Sequence, residues 1–369
     1  METFQRSVRC LVPAVLLCAA SLFAWPAALL AQSAPAAPAA PAAPKPAAKP
    51  VIAVIPKGTT HEFWKTVEAG ARQGAADAGV EVVWKGPARE DDRDEQIKVV
   101  EAMLARGVAG IVIAPLDQSA LVPVLKQAAA QKVPVVVFDS GLKWDGLKAF
   151  VATDNLKGGQ LAAREMGRLL NGKGTVIMMR YVEGSASTAQ REDGFLQTLK
   201  SEFPGITVAS SSQYGGATVD SAYRVAENLL TKHPDIQGVY APNEPTTYAF
   251  MKALKDAGRK KGVAFVGFDA SQKLVQGLRN GQVDALVVQN PWRMGQLAVT
   301  TMASVLEGKS VPAFVDTGVV MATRQNMEQP DVQQVLNPPV QKAGTPPAQP
   351  PAEQDAQRPA KDAQPPAQK

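Results

Sequence analysis

Between residues 51 and 337 the chain alternates short, mostly apolar runs with longer segments in which apolar residues recur at helical spacing. The runs at 51–55, 80–84, 109–114 and 133–138 begin 29, 29 and 24 residues apart, the length of a strand plus a crossover helix. A second series, at 174–179, 206–210, 236–240 and 263–268, begins at intervals of 32, 30 and 27. Runs that are apolar throughout, rather than at every second position, suit strands covered on both faces. The intervening segments agree: Phe63, Val67, Gly70, Ala71 and Gly74 share one helical face, as do Ala222, Val225, Ala226, Leu229 and Leu230. The pattern predicts an α/β protein of two doubly wound parallel-sheet domains joined near Asp154. A further strand at 283–288, a helix at 292–307 and a strand at 314–321 remain after the second series, and their return to the first domain would give several hinge crossings.

The two ends read differently. After Arg9 no charge occurs until Lys45, and residues 10–24 are apolar behind Arg6 and Arg9. A basic start, an apolar run and small residues predict a secretory signal over 1–31, cleaved after Ala31 or after Ala28. An uncleaved anchor or a lipoprotein acylated at Cys18 are the alternatives, although Leu17 is bulky for a lipobox. All three put the remainder outside the cytoplasmic membrane. Residues 32–50 hold 6 Pro and 9 Ala, an extended spacer, and residues 338–369 hold 9 Pro, a disordered tail.

Charge follows the same division. Of the net +5, the signal carries one positive charge, the spacer two and the tail one, which leaves +1 for residues 51–337. A nearly neutral core argues against nucleic acid as a partner, and a membrane would be met only through an N-terminal anchor. Both cysteines, Cys10 and Cys18, fall in the signal, so no disulfide framework is expected.

In open α/β sheets, ligands bind beyond the carboxyl ends of the strands. Here those ends carry His61, Phe63, Trp64, Asp139, Ser140, Tyr214, Asn243, Asp269 and Gln289. Carboxylates and amides hydrogen-bond hydroxyl pairs while ring faces cover C–H patches, so a cleft lined this way suits a polyhydroxylated ligand.

The segments Pro56-Lys-Gly-Thr-Thr-His-Glu-Phe-Trp64, Phe138-Asp139, Thr153-Asp-Asn-Leu-Lys-Gly-Gly-Gln160, Ser187-Thr-Ala-Gln-Arg-Glu-Asp-Gly-Phe195, Ala241-Pro-Asn-Glu244, Val266-Gly-Phe-Asp269 and Gln289 resemble, in order and spacing, the ribose-binding-like type I periplasmic binding proteins. These are the solute-binding components of ABC sugar importers, related to the effector domains of LacI-type repressors. The resemblance implies a periplasmic-binding-protein-like type I fold with a multi-strand hinge. Its N-terminal lobe would span 51–153 plus 290–320, and its C-terminal lobe 154–289 plus 321–337. It implies that Phe63, Trp64 and Phe268 sandwich a sugar ring, that Asp139, Arg191, Asn243 and Asp269 hold its hydroxyls, and that Gln289 sits at the hinge. His61, Tyr214 and Ser140 are further candidates. Ala114 stands where ribose binders have a ligand-binding Asn and Ser140 where they have an Arg, which points away from ribose itself and toward another pentose, hexose or polyol.

Competing structural uses exist for several of these residues. Phe63 and Trp64 could be core at a helix start, Arg191 could pair with Glu183 or Glu192, and Asn243 and Asp269 could serve as turn or N-cap residues. The acidic cluster at 90–95 reads as a solvated helix start. His61 and His233 lack Cys or His companions, so neither a metal nor a cofactor is expected. No Gly-x-Ser-x-Gly elbow or mature cysteine supports an enzyme, although Asp139 and Asp269 in one cleft leave a glycosidase formally open. The expected function is a monomeric extracytoplasmic receptor that binds a monosaccharide between two lobes and delivers it to an ABC permease. The alternative is a sugar sensor that signals to a chemoreceptor or kinase. A repressor effector domain would need a helix-turn-helix ahead of Val51, where the apolar segment and spacer stand instead.

Overall fold

The protein is described from a computed structural model over residues 48–259 and 261–339. The expected signal, the spacer as far as Ala47 and the tail from Val340 lie outside those residues. The first half runs β1 (Val51–Ile55), α1 (Glu62–Ala78), β2 (Glu81–Trp84), α2 (Arg93–Ala105), β3 (Gly110–Ile113), α3 (Val122–Ala130), β4 (Val135–Phe138) and β5 (Ala149–Ala152). Then come α4 (Asn155–Leu169), β6 (Lys173–Met178), α5 (Ala186–Glu202), β7 (Gly205–Ser210), α6 (Val219–Lys232), β8 (Gly238–Tyr240), α7 (Glu244–Asp256), β9 (Ala264–Phe268), α8 (Gln272–Arg279) and β10 (Ala285–Gln289). The chain closes with α9 (Pro291–Leu306), β11 (Phe314–Asp316), β12 (Val319–Thr323) and α10 (Pro330–Leu336).

These strands form two six-stranded sheets of matching order, β11-β5-β4-β3-β1-β2 and β12-β10-β9-β8-β6-β7. The first is parallel throughout; in the second, β12 is an antiparallel edge strand against β10. Both faces of each sheet are covered, as the unbroken apolar runs predict. On β1, Ile52 and Val54 pack into one cluster and Ala53 and Ile55 into another; on β6, Val176 and Met178 face away from Ile177. Each of these Val, Ile and Met side chains, taken fully out of water, contributes about 1.5–3 kcal/mol.

Two features differ from the sequence reading. Strand β5 falls outside the regular spacing: its short apolar run follows β4 without an intervening helix. The expected single strand at 314–321 is broken at Thr317-Gly318, where Gly318 takes a left-handed φ of 85°. Its first part pairs with β5 in the first sheet and its second with β10 in the second sheet, so Val319 and Val320 belong to the second sheet, not to the first lobe as the 320/321 boundary has it.

The chain therefore passes between the sheets three times: after β5, after β10 and after β11. At the first two crossings the next helix packs on the sheet ahead. Helix α4 leaves the first sheet and lies on α5, and α9 leaves the second and lies on α1. Both contacts are made at backbone distance. A Cβ on Gly70 of α1 would lie 1.8 Å from the Trp292 carbonyl oxygen of α9, and one on Gly159 of α4 would lie 2.0 Å from the Arg191 carbonyl oxygen of α5. No side chain fits there unless the helices part, which is why glycine occupies both. Gly70→Ala is expected to destabilise the protein by about 1–3 kcal/mol with its secondary structure retained; thermal unfolding followed by circular dichroism checks this, and an unchanged midpoint would refute it.

Candidate functional site

The carboxyl ends of both sheets open into one cavity between the lobes, with about 340 Å3 of space between its lining atoms, part of it open to solvent. Two backbone positions set its geometry. Asp139 and Asp269 directly follow β4 and β9, which occupy equivalent places in the two sheets. Both adopt left-handed φ, 60° and 71°, a conformation that Asp tolerates better than most residues. Their N–H groups donate to Val151 and Val287 on the adjacent strands, at 3.0 and 2.8 Å. The turn after each strand thus carries both carboxylates into the space between the lobes, and both residues line the cavity.

Each carboxylate is held by its own partners. Asp139 accepts from Lys57 Nζ at 3.1 Å in a buried ion pair, and Lys57 also donates to Ser187 of the opposite lobe at 3.1 Å. Asp269 accepts from Gln289 Nε2 at 2.7 Å and from the Glu244 N–H at 2.9 Å. Burial raises the Asp269 pKa, against the opposing pull of Arg191 and these hydrogen bonds. Gln289 uses its amide N–H on Asp269, and its buried Oε1, on the cavity wall, has no partner among the described residues.

Arg191 projects from the second turn of α5. Its Nε donates to Asn155 at 2.8 Å and its Nη1 to the Pro242 carbonyl at 3.0 Å, which fixes the plane of the guanidinium; neither bond uses Nη2. The group lies 4.0 Å over the Phe268 ring. Asn243 is the N-cap of α7: its Oδ1 accepts from the Thr246 N–H and hydroxyl. Capping uses the carbonyl end only, so the amide N–H2 remains for the cavity, and the cap and binding uses coexist.

On the other lobe, Glu90 Oε1 accepts from both His61 Nδ1 at 2.6 Å and Trp64 Nε1 at 2.7 Å. Burial opposes both ionised forms, but the pair outweighs it: His61 is raised above its ordinary pKa and Glu90 held below. Trp64 stands edge-on to Phe63, with centroids 4.9 Å apart, and to Phe138 at 6.1 Å. Glu244 reaches across the cleft and accepts from the Phe63 N–H at 3.1 Å. Its burial pushes its pKa up to about 7, against that N–H and His61.

Of the residues expected from sequence, His61, Phe63, Trp64, Asp139, Arg191, Asn243, Asp269 and Gln289 line this cavity together. Phe268 does not. Strand alternation points it away from Asp269, into the core beneath α4, where it supports Arg191 from below rather than covering a ligand. Tyr214 is also outside: it is 46% exposed and its backbone bridges Arg180 beside a shallow surface depression. Ser140 is buried, and its hydroxyl accepts from the Ser187 N–H at 3.1 Å, a contact between lobes. Lys57, Glu90, Tyr181, Ser187 and Glu244 line the cavity without having been singled out as site residues. Glu90 sits in the acidic run read as a solvated helix start, yet the N-cap of α2 is Asp92, and Glu90, two residues earlier, turns inward.

Comparison with known proteins bears on the same span. Residues 52–310 match the family described as periplasmic binding protein domain. A D-ribose/D-allose-binding protein of Pseudomonas aeruginosa is 31% identical over 280 residues, covering 74% of this chain and 86% of its own length. Among solved structures, a carbohydrate transporter solute-binding protein from Agrobacterium radiobacter in complex with D-arabinose is 33% identical. It superposes with a TM-score of 0.76, covering 79% of this chain and all of that one. An ABC transporter solute-binding protein from Agrobacterium vitis with bound D-fucose is 34% identical with a TM-score of 0.75, covering 78% of this chain and 99% of that one. Two matching sheets with three crossings, a cavity at their facing carboxyl ends and these matches together show that the chain belongs to the periplasmic binding protein family, with the type I fold.

Proposed function

We propose that this protein is an extracytoplasmic receptor that closes on a monosaccharide or related polyol and delivers it to an ABC importer. The observation that carries the reading is the paired carboxylates at equivalent strand ends, set with Arg191, Asn243 and Gln289 in one interlobe cavity. These groups leave donors at Arg191 and Asn243 and an acceptor at Gln289 Oε1, the complement of a ligand whose hydroxyls both give and take hydrogen bonds. Phe63 and Trp64 add aromatic wall. The relatives' names, with ribose, allose, arabinose and fucose, support the same ligand class.

Holding rather than cleaving is favoured by the same contacts. Asp139 is tied to Lys57 and Asp269 to Gln289 and the Glu244 N–H, so neither carboxyl stands ready as the proton donor or nucleophile that glycoside hydrolysis needs. Closure would move one lobe, residues 51–153 with 290–318, against the other, residues 154–289 with 319–337, about the three crossings. A ligand touched by both lobes selects the closed state through its higher affinity for that state.

A thermal-shift screen of pentoses, hexoses and polyols should therefore yield at least one sugar that raises the melting temperature; a flat panel, or product release from a glycoside, overturns the reading. With that sugar, Asp139→Asn and Arg191→Met should each weaken binding by about tenfold to a hundredfold, the scale of a hydrogen bond to a charged group, and titration calorimetry measures it.

Affinity should also depend on pH. In the closed state Glu244 faces His61, Asp269, Glu62 and the Phe63 N–H, and its pKa is about 7; exposed to water in an open state it would return toward the ordinary 4.5. The closed form then holds this proton more tightly, so closure is favoured below the open-state pKa, and the advantage is lost as pH rises through about 7. Affinity is expected to fall between pH 5 and pH 8, by at most about tenfold per unit, and Glu244→Gln should flatten the fall. An affinity that rises with pH would refute this linkage.

A further inference from the structure

Tyr181 lies between β6 and α5, in the lobe opposite Glu90. Its backbone is held on both sides: the N–H donates to Glu192 Oε1 at 3.0 Å and the carbonyl accepts from Gly216 at 3.0 Å. The side chain is 1% exposed and lines the cavity, and its hydroxyl meets no partner at full hydrogen-bond geometry among the described residues. A second buried tyrosine hydroxyl without a partner, that of Tyr240, is a different case, because its ring is stacked on Phe195 in the core at 4.2 Å and is not on the cavity wall. Across the cleft, Glu90 directs Oε1 to His61 and Trp64, and its carboxylate stands close to the Tyr181 hydroxyl.

We infer that Tyr181 and Glu90 form an interlobe subsite that reads one hydroxyl of the bound sugar, the ligand O–H donating to Glu90 and its oxygen accepting from Tyr181. This inference rests on the sugar-receptor reading and deepens it. The protonation states fit the two roles. Burial and then the Glu90 carboxylate push the Tyr181 pKa well above its ordinary value, so the phenol keeps its proton to donate. Glu90 is held below its ordinary value, against its burial, by His61, Lys57 and Trp64, so it stays an acceptor. Buried polar groups find partners in folded proteins, and a ligand hydroxyl placed between them satisfies both at once. Because the two residues belong to different lobes, the subsite exists only when the cleft is shut. A sugar lacking that hydroxyl would lose closure as well as contact.

Titration calorimetry on the full mature protein tests this with D-ribose, D-allose, D-arabinose and D-fucose, followed by the monodeoxy analogues of whichever binds tightest. Tyr181→Phe keeps the ring and removes only the unpartnered oxygen, so the unliganded melting temperature should hold or rise while affinity for the parent sugar falls about tenfold. One deoxy analogue, weaker than the parent sugar with the unaltered protein, should bind that protein and Tyr181→Phe equally. The subsite is overturned if Tyr181→Phe binds the parent sugar as the unaltered protein does, or if every deoxy analogue loses the same factor. A flat response across the whole pentose, hexose and polyol panel overturns the sugar-receptor reading and the subsite together, whereas binding of any panel member with an indifferent Tyr181→Phe overturns the subsite alone.

Discussion

Everything about the site depends on the way each sheet hands its next helix to the other. Helix α4 follows a strand of the first sheet yet packs on the second, and α9 does the reverse, both through helix contacts so close that glycine is required at Gly70 and Gly159. Those contacts prevent either helix from returning to the sheet it came from. The crossings are therefore short and run side by side, and the carboxyl ends of both sheets are brought to face one another. A cavity lined by strand ends from both lobes follows from topology before any particular side chain is considered.

Within that frame the chemistry is governed by the cost of burying charge. Asp139, Asp269, Glu90 and Glu244 are all largely buried, which is tolerable only with partners. The partners differ in kind and the ionisation follows them. Glu90 has a cationic neighbour and a ring N–H and stays low, whereas Glu244 has one backbone N–H and distant His61 and is raised to about 7. Arg191 is held in place by Asn155 and Pro242 from the sides and by Phe268 from below. Phe268 thus matters to the site without touching its contents.

The fold was largely legible because buried parallel strands need unbroken apolar runs, and those runs stand out in this chain at regular intervals. Where the signal failed, the physics was local. Strand β5 is four residues joined to β4 without a helix, so no periodicity marks it. The break at Thr317-Gly318 was written in Asp316-Thr-Gly, a turn signal, but the apolar residues on either side masked it. At the site, residues directly ending a strand were readable, since their backbone position alone puts them at the cavity. Side-chain direction was not: one strand-end pair, Phe268-Asp269, sends its members to opposite faces. Lys57, Glu90 and Tyr181 lie in loops, where sequence spacing no longer specifies facing. An acidic run such as 90–95 is pulled outward by hydration as a whole, and only the packing of His61 and Trp64 selects Glu90 to turn in.

Closure without a ligand leaves a particular kind of deficit. The shut cleft already has several hydrogen bonds between lobes, among them those from Lys57 to Ser187, from Ser187 to Ser140, from Phe63 to Glu244, from Arg93 to the Glu183 carbonyl and from Gln272 to Glu62. Each of these is a net gain of only about 0.5–1.5 kcal/mol, or somewhat more where a charge takes part. Against them stand Gln289 Oε1 and the Tyr181 hydroxyl, buried without full partners among the described residues, and two carboxyls whose pKa values burial has raised. An unpartnered buried polar group costs about 1–3 kcal/mol, so these losses offset part of what the bonds between lobes contribute. Such an offset suits a receptor, because a cleft much stabler shut would hold its cargo and one much stabler open would bind too weakly. A ligand whose hydroxyls complete the unpartnered groups tips the balance toward closure, and the pattern of those groups decides which ligand can do so.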